Sequence, residues 1–396
     1  SFARPGHCGP SNQQCAMTIQ TLADAMQTIA PLEYAEAWDK VGLLAGDRSR
    51  PLKGPVLLTI DLTEAVLAEA VAGGCCAVVA YHPPIWEPLT KITDATPRQR
   101  IILRALEAGL AIYSPHTALD AVSGGVTDWL AEGLSGSGEA GRVAGDCRAL
   151  TTHTRTPASQ QVKIVTFVPR DAVERVRGAL ATAGAGIIGR YQLCSFAADG
   201  VGTFLGGEGT NPTIGKPGQV EQTEEWRLEM VCGRQALALA LETLRRFHPY
   251  EEPAIDVYDL TAQPLRSVGA GRRLVLDRPT TVAELAQRLK GWICRDRVRY
   301  ALHGDDRPVT YVGVVPGSGS GLSKVARAEG CEVFVTGEMS HHDVMGALHA
   351  GMSVILGNHT STERGYLPRL AARLTAALPG AEVRVSTADR DPLVTV

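Results

Sequence analysis

Gly357-Asn358-His359-Thr360-Ser361-Thr362-Glu363-Arg364-Gly365 follows the apolar run Met352-Ser353-Val354-Ile355-Leu356. The run predicts a short buried strand, and Gly357-Asn358 predicts its end. His359 then emerges at the C-terminal end of that strand. Thr360, Ser361 or Thr362 supplies the cap of the next helix, and Glu363 falls in or near its first turn, where the helix dipole favours a carboxylate. An imidazole and a carboxylate four residues apart across such a turn can converge on one point. A capped helix beside a satisfied histidine is the competing reading of these nine residues.

The same rhythm surrounds this stretch. Upstream, residues 311–315 read as a strand, Pro316-Gly317-Ser318-Gly319-Ser320-Gly321 as a Gly-rich turn, 322–328 as a helix, and 333–336 as a strand ending in Gly337-Glu338-Met339-Ser340-His341-His342-Asp343. The turn lacks the Lys-Ser/Thr ending of a P-loop and the spacing of a dinucleotide fingerprint. A tight turn needing positive φ explains its glycines, and an anion nest is the alternative. His341 and His342 read first as helix-start residues and second as substrate contacts.

The first third of the chain carries a matching pattern. A helix with apolar positions Ile19, Leu22, Ala23, Met26 and Ile29 ends at Pro31, and Trp38-Asp39-Lys40-Val41-Gly42 leads into turns. Strands over 56–60, 77–80 and 110–113 alternate with helices over 63–72 and about 97–108. The second strand ends in Tyr81-His82-Pro83-Pro84, where the following proline keeps His82 out of any helix. The third ends in Ser114-Pro115-His116-Thr117-Ala118-Leu119-Asp120. Strand ends therefore deliver His82, then His116 with Asp120, to the side where doubly wound sheets bind ligands.

Between these halves the character changes. Residues 151–161 are polar and linker-like, and Gln263-Pro264-Leu265-Arg266 closes an insertion. Inside it, strands over 163–168, 192–196, 202–205, 226–231 and 254–260 and helices over 172–183 and 235–247 approach the β-α-β-β-α-β order of ferredoxin-like domains. His248-Pro249-Tyr250-Glu251-Glu252-Pro253 reads as a helix-ending loop with exposed carboxylates, with metal binding as the alternative.

Composition bounds the function. A length of 396 residues calls for two or three domains, and 44% apolar residues suffice for their cores. Lys+Arg 39 against Asp+Glu 42 gives no basic excess, so no nucleic-acid partner is indicated, and no apolar run is long enough to span a bilayer. Nine cysteines with no CxxC pair fit neither a disulfide framework nor a zinc ribbon. A reducing, cytoplasmic compartment is expected. Residues 1–16 lack periodicity and read as a disordered extension; 17–154 form core lobe 1, 155–266 the inserted domain, and 267–396 core lobe 2.

Taken together, Tyr81-His82-Pro83-Pro84-Ile85, Ser114-Pro115-His116-Thr117-Ala118-Leu119-Asp120, Thr336-Gly337-Glu338-Met339-Ser340-His341-His342-Asp343 and the opening nonapeptide resemble the Nif-three-like family, also catalogued as GTP cyclohydrolase 1 type 2 homologues. The resemblance runs from Thr18 to Val396, and the insertion resembles the PII-like or CutA-like insert of longer bacterial members. It implies an α/β fold with two α/β lobes in one core, a dinuclear divalent-metal centre between them, and a homo-oligomer, a toroidal hexamer with sites facing its interior. It makes His82 and Asp120 ligands of one metal, His359 a ligand of the second and Glu363 a bridge. His116, the candidate catalytic residue, is a further ligand or a partner that orients the site.

The commonest bacterial pattern has a His-His pair where this chain has Tyr81-His82, and a phenol is a poorer ligand than imidazole, so the second metal is expected to be weakly held or absent. Mixed nitrogen and oxygen ligation suits zinc, manganese or iron. The implied function is metal-dependent hydrolysis of a nucleotide or related small molecule, with guanine-ring opening of GTP suggested by the family label. No base-recognition element is legible. The competing class is a non-catalytic metal-binding or metal-delivery protein whose insert senses a small ligand.

Overall fold

The computed structural model describes residues 17–394. The extension expected over residues 1–16 lies outside the described residues. The described chain divides into two compact units, one built from residues 17–153 and 265–394 and the other from Thr154–Pro264.

The larger unit contains two sheets. In the first, β1 (Gly42–Ala45), β2 (Val56–Thr59), β3 (Ala77–Ala80), β4 (Ala111–Ser114) and the C-terminal strand Val383–Val385 lie in the order β1, β4, β3, β2, C-terminal strand. All neighbours are parallel except β1 with β4. The second sheet takes in Asp146–Arg155 and Gln263–Thr280, then Arg299–Ala301, Val309–Ser318, Val333–Glu338 and Ser353–Leu356. Its last three strands run parallel, and antiparallel strands flank them.

Burial on both faces explains why the central strands read as unbroken apolar runs. Successive residues point to opposite faces. Leu58 and Val79 enter a core shared with Val312, Val333 and Ile355 of the second sheet and with Ile19, Leu22 and Met26 of the first helix. Their neighbours Leu57 and Val78 pack outward with Leu67 and Ile102. Helix ends follow local chemistry: Thr63 accepts from the Val66 amide, and Ser340 accepts from the Asp343 amide. His341 and His342 accordingly begin a helix, His341–His349, and are exposed.

In this unit three sequence expectations change. Residues 151–155, expected as linker, belong to a strand, Asp146–Arg155. Only Ala149 and Leu150 are buried in it, so no alternation of apolar residues marked it, and the β-branched threonines were the remaining signal. Residues 263–266 likewise open an 18-residue strand. The C-terminal strand pairs with β2 of the first sheet, so the two lobes exchange strands across the linear boundaries read from the sequence.

The inserted unit places Val162–Pro169, helix Val173–Thr182, Phe196–Leu205, Val220–Cys232, helix Arg234–Phe247 and Ile255–Asp259 in that order along the chain. Its sheet runs Phe196–Leu205, Val220–Cys232, Val162–Pro169, Ile255–Asp259, antiparallel throughout. The strand expected over 192–196 is irregular up to residue 195, and a single strand, Phe196–Leu205, takes in the one expected over 202–205. Gly200 and Gly202 lie inside it, kept extended by pairing with residues 220–229 of the neighbouring strand. Val162, Ile164, Leu228, Met230 and Leu244 form this unit's own core. His248 is buried there; one ring nitrogen meets the Phe167 carbonyl at 3.0 Å and the other accepts from the Tyr250 amide at 3.1 Å. Both nitrogens are used, which removes the metal alternative for His248.

Candidate metal centre

Several parallel strands from both sheets end on one cavity of about 770 Å³. β3 delivers Tyr81 and His82, β4 delivers His116, and Ser353–Leu356 delivers His359. Two of these strand exits are backbone outliers: His116 has φ 30° and Asn358 φ 67°. Asparagine tolerates the left-handed region, whereas a histidine there is uncommon and held by its surroundings.

Each imidazole is fixed through Nδ1 by a carboxylate. His82 Nδ1 lies 2.9 Å from Asp61, His116 Nδ1 2.8 Å from Asp39, and His359 Nδ1 2.8 Å from Glu338. Nδ1–H donating to a carboxylate leaves the Nε2 lone pair for a cation, the usual arrangement around metal-ligating histidines. Nε2 of His82 faces Glu363 Oε2 at 3.4 Å, and Nε2 of His359 faces Glu363 Oε1 at 3.4 Å. Glu363 is 3% exposed, in the first turn of the short helix Ser361–Arg364, and its Oε2 has no hydrogen-bond partner. Thr360 occupies the N-cap position without making a side-chain cap; Thr362 instead donates its hydroxyl to the His359 carbonyl and accepts from the Gly317 amide. Gly317, at φ 61°, lets the backbone pass this close: a Cβ there would lie 2.4 Å from Glu363 Oε1 and 3.2 Å from His359 Nε2.

His82, His359 and Glu363 form the group whose ligand atoms all lie within 4.8 Å of one another. A buried carboxylate with an unpartnered oxygen, flanked by two oriented imidazoles, fits a divalent cation. Burial opposes charging of His82, but the hydrogen bond to Asp61 and the nearby Glu363 carboxylate outweigh it and lift the imidazole to about 10. His82 would have to give up that proton to serve as a metal ligand, since metal ligands must be deprotonated.

Asp120 and His116 line the same cavity but stand outside this close group. The Tyr81 hydroxyl donates to Asp120 Oδ1 at 2.6 Å. Burial, then the Asp120 charge, pushes the Tyr81 phenol well above its usual range, so it stays protonated and keeps donating. Burial also raises Asp120, against the Tyr81 hydrogen bond. Asp39 and Asp61 go the other way: burial would raise each, but the hydrogen bonds from His116 with Thr117, and from His82, hold them below the usual carboxylate range. His341 and His342 do not line the cavity.

The orienting carboxylates were missed from the sequence. Glu338 and Asp61 had a signal, since each ends or closely follows a parallel strand. Asp39 had none: it lies in irregular chain, 77 positions from His116.

With this geometry in hand, similarity to known proteins becomes informative. Residues 17–392 match the family Duf34/NIF3 (NGG1p interacting factor 3). The chain is 32% identical over 377 residues to the "GTP cyclohydrolase 1 type 2 homolog" of Bacillus subtilis, covering 94% of this chain and 97% of that one. It is 32% identical over 390 residues to human "NIF3-like protein 1", covering 96% and 93%. Among solved structures, a Bacillus cereus protein related to NIF3 superposes with TM-score 0.65 at 30% identity, covering 96% of this chain and all of that one. The chain belongs to the DUF34/NIF3 family.

Proposed function

We propose that this chain is a divalent-metal-binding protein with a dinuclear centre, acting as a metal-dependent hydrolase on a nucleotide or related small molecule. The observation that carries the reading is the trio of imidazoles clamped at Nδ1, two of them facing opposite oxygens of the buried Glu363. Glu363 would serve both ions, with His359 holding one and His82 with Asp120 the other. The Tyr81 hydroxyl is engaged with Asp120, so the ion it would weaken is the one shared by His82 and Asp120 rather than that of His359. Zinc, manganese or iron held there would supply Lewis acidity and lower the pKa of coordinated water. The protein's part is to hold the imidazoles in one tautomer through Asp61, Asp39 and Glu338, and to keep a concave site beside them. His116 lies at the edge of this group, placed to exchange a proton with substrate or to complete the ligand set. The label of the Bacillus subtilis relative supports a guanine-type substrate.

The test is a turnover screen of metal-loaded protein against nucleotides and phosphoesters. Metal-dependent hydrolysis of any of them supports the reading; a flat result with every divalent ion favours a metal-binding or metal-delivery protein. One observation favours that second reading: the inserted unit has its own cavity of about 620 Å³, lined by Phe167, Arg227 and Tyr250, suited to a sensed ligand. The sheet order of this unit supports its assignment as ferredoxin-like.

Homo-oligomerisation, as a hexamer, belongs to the same proposal. Exposed Phe196, Val201, Leu205 and Val220 support association between copies. Among the described residues no helix is long and apolar enough to cross a membrane, and the cysteines are unpaired. The unpaired cysteines support a cytoplasmic location.

A further inference from the structure

Trp38 and Trp86 stand in the same cavity as His82, His359 and Glu363. Their ring centroids are 5.6 Å apart and the planes are tilted by 54°. Each also meets His116, at 6.1 Å and 5.9 Å, with planes at 75° and 77°. Both indoles are nevertheless open to solvent, 54% and 42% exposed. A single exposed aromatic is ordinary. Two in contact, beside oriented titratable groups in a cavity, form the kind of apolar wall that small-molecule sites use.

The geometry limits how a ligand meets them. A ring inserted between two others must hold them parallel and separate them by two stacking distances, and 5.6 Å at 54° allows neither. The pair is therefore a one-sided platform. The polar lining narrows the ligand further. Among the described residues no Lys or Arg side chain lines the cavity, so no fixed cation awaits a phosphate there. Its acidic lining includes Glu36 and Asp61, which accept from N–H donors.

We infer that Trp38 and Trp86 are specificity-determining residues: they bind a planar nitrogen heterocycle by stacking, with its N–H groups turned to the acidic lining, and so present the ring to the metal centre. This rests on the cavity being the substrate site and names the substrate by its ring rather than its phosphate. A heterocycle of this kind reaches the site either as a nucleoside or as a free bicyclic base, and the probes separate the two.

The experiment uses the full zinc-loaded chain, with indole fluorescence and equilibrium dialysis as readouts, guanosine and pterin as ring probes, and ribose 5-phosphate as the ringless control. Saturable quenching by a ring probe, absent with ribose 5-phosphate, is expected. Trp38→Ala and Trp86→Ala each weaken that binding about tenfold, and Trp86→Phe restores most of it, because stacking tolerates a change of aromatic ring. Zinc content, measured on the same samples, stays unchanged in these exposed-site variants. The inference is overturned if neither ring probe binds, if ribose 5-phosphate binds equally well, or if the alanine variants bind like the parent. Undiminished ring binding together with a changed assembly mass in light scattering also overturns it, assigning the pair to contacts between copies. Loss of zinc from the parent protein would instead count against the metal reading, and ring binding measured without metal still decides the platform.

Discussion

Glu363 reaches two imidazoles with two different oxygens, while the single orphaned oxygen and the burial around it leave little else for it to do. Glu363→Ala is expected to remove more metal than His82→Ala or His359→Ala, because each histidine offers one nitrogen whereas in the proposed centre the carboxylate would serve both ions. The metal-free protein should lose no more than about 0.3–1 kcal/mol, the value of a carboxylate in a first helical turn. Elemental analysis beside thermal unfolding checks this, and full occupancy in Glu363→Ala would refute the bridge. Tyr81 gives a second expectation. Its hydroxyl occupies Asp120, so Tyr81→His both frees that carboxylate and adds a nitrogen, and metal content per chain should rise. An unchanged stoichiometry in a folded Tyr81→His variant would show that Tyr81 is not what limits the second position.

At the level of elements, the C-terminal strand is tied down by one side chain. Glu69, on the helix Glu64–Ala72, accepts from the hydroxyls of Ser386 and Thr387 and from the amides of Thr387 and Ala388, just after Val383–Val385. Burial would raise this carboxylate, but the hydrogen bonds outweigh it and lower it to about 2 from 4.5. A depressed folded value means stability present above the unfolded pKa and lost as pH falls toward the folded one. Hydrogen exchange at the Thr387 and Ala388 amides should therefore accelerate between about pH 4.5 and 2, ahead of the β2–β3 pairing. Glu69→Ala should show that fast exchange already at neutral pH; equal protection in parent and variant would contradict the clamp.

The β-rich elements of the second sheet show why part of this was invisible beforehand. Strands 56–59, 77–80 and 353–356 were legible because parallel strands buried on both faces are apolar throughout. Asp146–Arg155 was not, since its residues gain their pairing from Gln263–Thr280, more than a hundred positions away. In the same way His82, His116 and His359 announced themselves at strand ends, whereas Asp39 could be joined to His116 only by folding.

For the whole molecule, the inserted unit begins and ends on neighbouring strands of the second sheet and has a core of its own. Replacing residues 155–264 with a short Gly/Ser linker should leave a cooperatively folding core that keeps its metal. Circular dichroism and elemental analysis of the deletion provide the check, and a folded core without metal would tie the centre to the insertion.

The sequence alone determined the α/β rhythm, the two helices of the insertion and the histidines at strand ends, because each depends on local periodicity or on residues adjacent in the chain. Tertiary structure decided which groups meet. It brought Glu363 between two imidazoles from different sheets, paired Tyr81 with Asp120, set Trp38 against Trp86, and returned the last strand to the first sheet. These are contacts between distant segments, fixed by how the two sheets share one core, and no local pattern encodes them.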